Sequence, residues 1–146
     1  MRMTVPGLAA LLALAGCGAA APDQPAQPAA TVRMAAVPGR PASGYFQLRI
    51  AGDRGALLSV TSPQAGRIEI HETMNMGNMT SMRALDRIPL HDGETLSFAP
   101  GGRHLMIYDL GRSVAAGGRI ELVLHFARGA PVTLAATLVP AGGDIP

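Results

Sequence analysis

Two histidines and two methionines lie at spacings that suit a soft metal ion. His104 and Met106 are two residues apart, so on a β-strand their side chains leave the same face with Cα atoms roughly 6.6 Å apart. His71 precedes a polar segment, residues 72–82, whose Asn and Gly residues favour a turn. A hairpin in this segment can return Met82 to the side of His71. The spacing therefore predicts a site made of two imidazoles and two thioethers.

This donor set favours Cu(I). Thioethers are neutral and polarisable, so they suit Cu(I) and offer little to Zn(II), Mg(II) or Ca(II). They also survive in an oxidising compartment, where an unpaired thiol would be oxidised, and they bind without losing a proton. A partner that offers cysteine or more histidine can therefore take the ion. This behaviour is typical of a metal carrier rather than of a permanent cofactor site.

The elements that must position these residues are predicted to be short β-strands. Apolar and polar residues alternate with period two, and Gly, Pro and Asp separate the alternating segments. No segment of the domain keeps a helical period, so we expect seven or eight strands in an all-β antiparallel sandwich. The alternation predicts strands at Gly44–Ile50, Arg67–His71, Thr95–Ala99, His104–Tyr108, Arg119–Phe126 and Val132–Leu138, with weaker signals at Leu57–Ser62 and Thr31–Val37.

The composition argues against several classes of protein. The chain has 146 residues, which suits one domain, and its 12 basic residues are all Arg, with a net charge of only +2. Such a small charge argues against the clustered basic face of a nucleic-acid-binding protein. The single cysteine excludes an internal disulfide framework and Cys-rich zinc or iron–sulfur sites. Neither a blue-copper thiolate nor a nucleophile–base pair is recognisable, so we expect a protein that is not an enzyme.

The N-terminal segment is predicted to export and anchor the chain. Arg2 precedes a short apolar run that ends at Leu14–Cys17, which resembles the lipobox of bacterial lipoproteins. The resemblance implies lipid attachment to Cys17 in a periplasmic protein held to a membrane, inner or outer. The alternative is an ordinary secretory signal with an incidental cysteine. The predicted division of the chain is a signal peptide at 1–16, the lipidated cysteine and a Pro/Ala linker at 17–30, a domain at 31–140 and a tail at 141–146.

The four candidate ligands have the spacing of a known family. The periplasmic copper chaperones of the PCuAC type carry His, ten residues, Met, twenty-one residues and then His-x-Met. This chain resembles them from about Val32 to Val139, with its own residues at His71, Met82, His104 and Met106. Other segments that match the family are Ser62–Pro63, Glu69–Glu72, Met82–Arg83, Pro100–Gly102 and Gly117–Gly118.

The resemblance implies both a fold and a function. The expected fold is a cupredoxin-like Greek-key β-sandwich, and the expected function is to carry Cu(I) outside the cytoplasm. The implied partner is a copper-accepting protein, such as cytochrome oxidase subunit II or a thioredoxin-fold copper chaperone. The implied role is assembly of the oxidase copper centre.

Two other functions are compatible with the sequence. One is sequestration of copper for tolerance, which needs the same site as delivery does. The other is a metal-free structural lipoprotein with the same sandwich. Uptake of Cu(I) by the protein distinguishes the metal-free alternative from the other two. Delivery and sequestration are distinguished by the phenotype of a cell that lacks the gene, as impaired oxidase assembly or as copper sensitivity.

Three further methionines lie between His71 and Met82. Met74, Met76 and Met79 are expected in a flexible loop. They are candidate accessory ligands for a second ion, or an apolar lip against which a partner docks. Met79 is also close enough in sequence to replace Met82 as a ligand.

Charged neighbours of the candidate ligands have two interpretations each. Glu72 adjoins His71 and can orient its ring as a hydrogen-bond acceptor, or it is solvated. Arg83 and Arg103 adjoin Met82 and His104 and can dock an acidic partner, or they too are solvated. The histidines outside the pattern, interpreted as structural or solvated, are His91 and His125.

Overall fold

Alternating apolar and polar residues form ten β-strands in the computed structural model, which describes residues 28–146. These residues contain no helix, and hence none able to span a membrane. The expected signal peptide, Cys17 and most of the expected linker lie outside the described residues. The strands are β1 (Ala30–Arg33), β2 (Ala42–Arg49), β3 (Ala56–Thr61), β4 (Ala65–Met76), β5 (Met79–Ala84), β6 (Ile88–Pro89), β7 (Thr95–Phe98), β8 (Arg103–Leu110), β9 (Arg119–Phe126) and β10 (Val132–Val139).

The inward-facing apolar residues of these strands form one core. Aliphatic side chains supply most of it, and the aromatic residues in it include a stacked pair, Phe46 and Phe98, with ring centroids 4.5 Å apart. Core residues recur at every second position because successive side chains of a strand point to opposite faces. The large fully buried members include Leu57, Leu96, Leu105, Ile107, Ile120, Leu122, Leu124, Leu134 and Leu138.

The strands follow one hydrogen-bonded path that folds back on itself. Their order is β5-β4-β8-β2-β1-β10-β9-β3-β6, with β7 also paired to β2. The first part of β2 pairs with β8 and the second part pairs with β7. Strands β3 and β4 contact each other across the fold. Among the described strands only β1 and β10 pair in parallel, so the predicted antiparallel all-β sandwich is confirmed apart from this pair.

Two strands were not predicted from the sequence, and a third is longer than expected. Strand β4 continues beyond His71 to Met76, and β5 returns from Met79 to Ala84 after a two-residue turn. Both strands are exposed near this turn, so the sequence there lacks the apolar alternation that marks a half-buried strand. Strand β6 contains only two residues. The expectation that Met74, Met76 and Met79 lie in a flexible loop is therefore wrong, since all three belong to paired strands.

The two ends of the described chain lie side by side. Strand β1 begins at Ala30, which is buried. The guanidinium of Arg33 donates a hydrogen bond from Nε to the carbonyl oxygen of Gly143, with an N···O distance of 3.1 Å. This hydrogen bond attaches the segment after β10 to β1. Strand β2 lies between β1 and β8, the strand that carries His104.

Strand β8 is held close to β2 at one glycine. Gly44 is the register partner of Leu105, and a Cβ atom at Gly44 would lie 3.1 Å from the Cβ of Leu105 and 3.2 Å from Cδ1 of Ile107. This separation is tighter than most real Cβ contacts, so an added side chain would force Leu105 or Ile107 to shift by a few tenths of an ångström. The absence of a side chain at Gly44 therefore sets the position of the strand that carries His104 and Met106.

Candidate metal centre

The pairing of β4 with β8 brings the two candidate histidines together. His71 is the direct register partner of His104, and their ring centroids are 6.0 Å apart with an angle of 47° between the planes. Glu69 pairs in the same way with Met106. Because alternate residues share a face, the side chains of His71, His104 and Met106 all project from the face opposite the core residue Leu105.

The pairing of β4 with β5 adds Met82 to this face. Met82 is the register partner of Thr73, and Thr73 lies two residues after His71 on the same strand. Directly opposed residues in an antiparallel pair share a face, and diagonal neighbours lie within reach of long side chains. The hairpin that was expected to return Met82 to His71 therefore forms, with Met82 diagonal to His71.

Burial decreases from one side of this site to the other. His104 is 5% exposed and the His71 side chain is 17% exposed, whereas Met82 is 61% exposed. Met106 is intermediate. The two imidazoles thus form the inner part of the site, and the Met82 thioether forms its solvent-facing rim.

His71 has one ring nitrogen engaged and the other without a partner. Its Nε2 lies 3.0 Å from Oε2 of Glu69. A carboxylate accepts hydrogen bonds, so Nε2 carries the proton and donates it. Nδ1 then holds a lone pair, and this atom is buried without a hydrogen-bond partner. An unpartnered buried acceptor costs about 1–3 kcal/mol, which a bound cation would offset.

His104 is held in a comparable way by the backbone. Its Nδ1 lies 3.1 Å from the carbonyl oxygen of Gly102, which can only accept, so Nδ1 donates the hydrogen bond. The Nε2 lone pair is left for another partner. The same carbonyl accepts a hydrogen bond from the backbone N–H of Thr73, at 3.0 Å. Gly102 thus links the base of the β4–β5 hairpin to the His104 ring.

Glu69 is the residue that fixes the His71 ring. Its pKa is lowered, chiefly by the hydrogen bond from His71 and further by the charge of Arg67 and a hydrogen bond from Tyr108, while desolvation opposes the shift. The Tyr108 hydroxyl donates to Oε2 at 3.3 Å, and Arg67 Nε lies 3.4 Å from Oε1. The guanidinium of Arg67 also stacks over the Tyr108 ring, 4.2 Å from its centroid. Glu69 is therefore held as a carboxylate acceptor.

Of the two interpretations of Glu72 offered by the sequence, the one in which it orients the His71 ring is wrong. Since it is adjacent to His71 on one strand, its side chain points to the opposite face. There it pairs with Arg83, at 2.8 Å between Oε2 and Nη2, and with Arg103, at 3.7 Å between Oε1 and Nε. Arg83 and Arg103, interpreted from the sequence either as docking an acidic partner or as solvated, are thus paired with Glu72. The signal that identifies Glu69 instead is its spacing of two residues from His71.

The three remaining methionines of the hairpin lie on the face opposite Met82. Met76 is the register partner of Met79, and Met74 is two residues before Met76. Met79 is three residues from Met82, an odd number, so the two side chains leave opposite faces of β5. Met79 therefore cannot replace Met82 on the face that bears His71.

The two histidines outside the pattern lie away from the site. His125 Nε2 is 2.8 Å from the hydroxyl oxygen of Thr61 on β3. The backbone N–H of His91 donates to the carboxylate of Glu94 at 2.9 Å, in the turn after β6. Their positions agree with the structural or solvated roles expected for them.

The donor set of the site consists of two imidazoles and two thioethers. Within residues 28–146, no three His, Cys, Asp or Glu side chains are grouped closely enough to hold a metal ion. A metal at this face would therefore depend on the sulfur atoms of Met82 and Met106. Neutral thioethers with imidazole select a soft ion rather than Mg(II) or Ca(II), and a bound ion would supply the partner that His71 Nδ1 lacks.

Comparison with known structures identifies the fold. The copper-bound PCuAC domain from PmoF2 shares 22% identity, with a TM-score of 0.60 and coverage of 76% of this chain and 88% of that domain. The Cu(I) form of DR1885 from Deinococcus radiodurans shares 24% identity, with a TM-score of 0.60 and coverage of 77% and 76%. The metal-free PmoF2 domain gives 23% identity and a TM-score of 0.62, covering 80% and 89%. The expected cupredoxin-like β fold is confirmed.

Comparison of sequences identifies the family. "Putative lipoprotein Lxx21020" of Leifsonia xyli subsp. xyli is 34% identical over 76 residues, which are 50% of this chain and 45% of that protein. The uncharacterized protein RP573 of Rickettsia prowazekii is 34% identical over 71 residues, 48% of this chain and 39% of that protein. The matched region thus spans less than half of each relative. The model of the family described as "Putative lipoprotein LpqE-like" matches residues 26–138, and the chain belongs to this LpqE-like family.

Proposed function

We propose that this protein is an extracytoplasmic copper chaperone that holds one Cu(I) ion with His71, Met82, His104 and Met106. The observation that carries the proposal is the shared register of β4 with β8 and β5, which puts these four side chains on one face. Each imidazole has one nitrogen committed to a hydrogen bond, to Glu69 or to the Gly102 carbonyl. The other nitrogen of each is the proposed ligand, together with the two sulfurs.

The burial of the site supports release of the ion as well as capture. Cu(I) is cargo in this proposal, so it must leave for another protein. The exposed thioether of Met82 is the ligand that an acceptor reaches first. A neutral thioether leaves the metal without taking up or releasing a proton. His104 and His71 lie deeper and hold the ion until the acceptor supplies its own ligands.

The proposed acceptor is an extracytoplasmic copper protein, such as cytochrome oxidase subunit II or a thioredoxin-fold copper chaperone. Two observations support copper as the cargo: the similar PmoF2 domain is copper-bound and the similar DR1885 protein carries Cu(I). The membership of the LpqE-like lipoprotein family supports lipid attachment at Cys17. A lipid anchor would keep the carrier at the membrane surface, where such acceptors are located.

Metal uptake tests the site. The full-length chain with Cys17→Ser, which removes the competing thiol, is titrated with Cu(I) in competition with a chromogenic Cu(I) chelator. A Met82→Leu, Met106→Leu double variant is expected to lose the tight ion, because leucine keeps volume and removes both sulfurs. The matched control is Met34→Leu, a methionine that packs against the core. Equal uptake by the double variant and the control would overturn the proposal.

Cellular phenotypes test delivery. A strain that lacks the chain is expected to assemble less copper-loaded oxidase, and the wild-type chain restores assembly while the Met82→Leu, Met106→Leu variant does not. Normal oxidase together with raised sensitivity to copper would instead identify sequestration as the function of the same site.

A further inference from the structure

The tip of the β4–β5 hairpin extends beyond the rest of the sheet. The last register pair between β4 and β8 is Glu72 with Arg103, followed by one backbone hydrogen bond from Thr73 to Gly102. From there to the turn, β4 pairs only with β5. The tip is therefore a two-stranded ribbon whose two faces both meet solvent.

The turn fixes which side chains share each face of this ribbon. Gly77 has φ +63° and Asn78 does not have a positive φ, which is typical of a two-residue type II′ hairpin with Gly first. The pairing that follows is Met76 with Met79, Asn75 with Thr80 and then Met74 with Ser81. One face thus carries three methionines, and the other carries Asn75 and Thr80, whose side chains are hydrogen-bonded at 3.0 Å.

The three methionines are close enough to share an ion. Directly paired residues have Cβ atoms about 4.5–5.5 Å apart, which applies to Met76 and Met79. Met74 is two residues along the strand, roughly 6.6–7 Å away. A methionine side chain has three rotatable bonds, so the three sulfurs can converge above the small partner of Met74, Ser81.

The exposure of these side chains is unusual for apolar residues. Met76 is 70% exposed and Met79 is 75% exposed. Met76 and Met79 therefore lie in water at the tip of the paired ribbon and contribute little to the core, whereas Met74 is half-buried. Their charged neighbours toward the body of the fold are Glu72, Arg83 and Arg103, and the carboxylate of Glu72 pairs with both arginines.

We propose that Met74, Met76 and Met79 form a second metal site, made of three thioethers, for a soft monovalent ion such as Cu(I) or Ag(I). The site lies on the face of the hairpin opposite Met82, so it shares no ligand with His71 or His104. Its donors are all neutral and soft, which excludes useful affinity for Zn(II), Mg(II) and Ca(II). The proposal goes beyond the chaperone function and stands without it.

Stoichiometry is the first test. The full-length Cys17→Ser chain is titrated with Ag(I), which binds thioethers without redox chemistry. The expected uptake is two ions per chain, falling to one in a Met74→Leu, Met76→Leu, Met79→Leu variant and to one in the Met82→Leu, Met106→Leu variant. Leucine preserves an apolar surface, so a surface that served only for docking would survive the triple change. Equal Ag(I) uptake by the wild-type chain and the triple variant, whether one ion or two, would overturn the second site.

Methyl NMR provides a second test that needs no triple variant. With methionine methyl groups labelled by carbon-13, excess Ag(I) is expected to shift the resonances of Met74, Met76 and Met79 in the Met82→Leu, Met106→Leu variant. The Met34 resonance is the internal control, since it packs against the core. If none of the three resonances moves in that variant, the hairpin tip is an apolar surface and not a metal site, whatever happens at the histidine face.

Discussion

His71 and His104 lie directly opposite each other on neighbouring antiparallel strands, with ring centroids 6.0 Å apart. One nitrogen of each ring is held by a hydrogen bond, in His71 to the carboxylate of Glu69 and in His104 to the carbonyl oxygen of Gly102. The two orienting groups leave different nitrogens free, Nδ1 in His71 and Nε2 in His104. A side-chain carboxylate and a backbone oxygen thus define which imidazole atoms are available to a metal.

A soft ion is expected to stabilise the folded protein. The buried Nδ1 of His71 lacks a partner, and an ion that binds only the folded state at 100 times its Kd adds about 2.7 kcal/mol to the free energy of unfolding. Thermal unfolding with Cu(I) or Ag(I) should show a higher Tm than the metal-free protein. Mg(II) should leave the Tm unchanged, and a Mg(II) effect equal to that of Ag(I) would contradict the thioether donor set.

Glu69 and Glu72 offer a matched pair of substitutions. Glu69→Gln removes the carboxylate that holds the His71 ring, and loss of such an outer hydrogen bond lowers metal affinity by roughly 10–100-fold. Glu72→Gln is expected to leave affinity unchanged, because Glu72 faces the other side of β4 and pairs with Arg83 and Arg103. Competition with a Cu(I) chelator measures both. Equal losses for the two variants would show that net charge, not ring orientation, sets the affinity.

The sequence predicted the inner part of this site better than its outer part. Around both His71 and His104, apolar residues alternate with polar ones. The sequence therefore predicted that both histidines lie on β-strands and that their side chains are on the polar face. Glu69 was on the predicted polar face of the strand. Its contact with His71 follows from the two-residue spacing, which puts both side chains on one face, and not from adjacency in the sequence. Adjacent side chains of a strand point to opposite faces, which is why Glu72 cannot orient the His71 ring.

The residue pattern predicted a hairpin between His71 and Met82 but not the register of its strands. Between Glu72 and Met82 the sequence is polar and rich in turn-forming residues because neither face of the hairpin is covered. Such a pattern is typical of a loop, so it does not predict how the two strands pair. The strand pairing there is fixed by backbone hydrogen bonds and by the turn at Gly77. Only with that register known can Met82 and Met79 be assigned to opposite faces.

Gly44 is expected to control the position of the strand that bears His104 and Met106. In Gly44→Ala the new Cβ would lie 3.1 Å from the Cβ of Leu105, so β2 and β8 must separate; overpacking of this kind costs about 1–3 kcal/mol. Gly111→Ala is the control, since its Cβ would meet only ordinary contacts, the nearest at 3.6 Å. Chemical denaturation compares the two, and equal stabilities would mean that β8 accommodates the added atom without moving.

Gly77 is expected to determine the face on which Met82 lies. Its φ of +63° disfavours any residue with a Cβ, and a left-handed conformation costs roughly 1–2 kcal/mol for an ordinary residue. In Gly77→Val, a change of turn type that shifts the β4–β5 register by one residue would move Met82 to the opposite face. Cu(I) affinity should therefore fall although all four proposed ligands are still present. Asn78→Ala is the control because Asn78 does not have a positive φ, and it should keep both the register and the affinity.

Backbone nuclear Overhauser effects between Thr73 and Met82 report the register directly. A Gly77→Val chain that keeps these contacts but loses copper would show that the turn acts on the site by some means other than register.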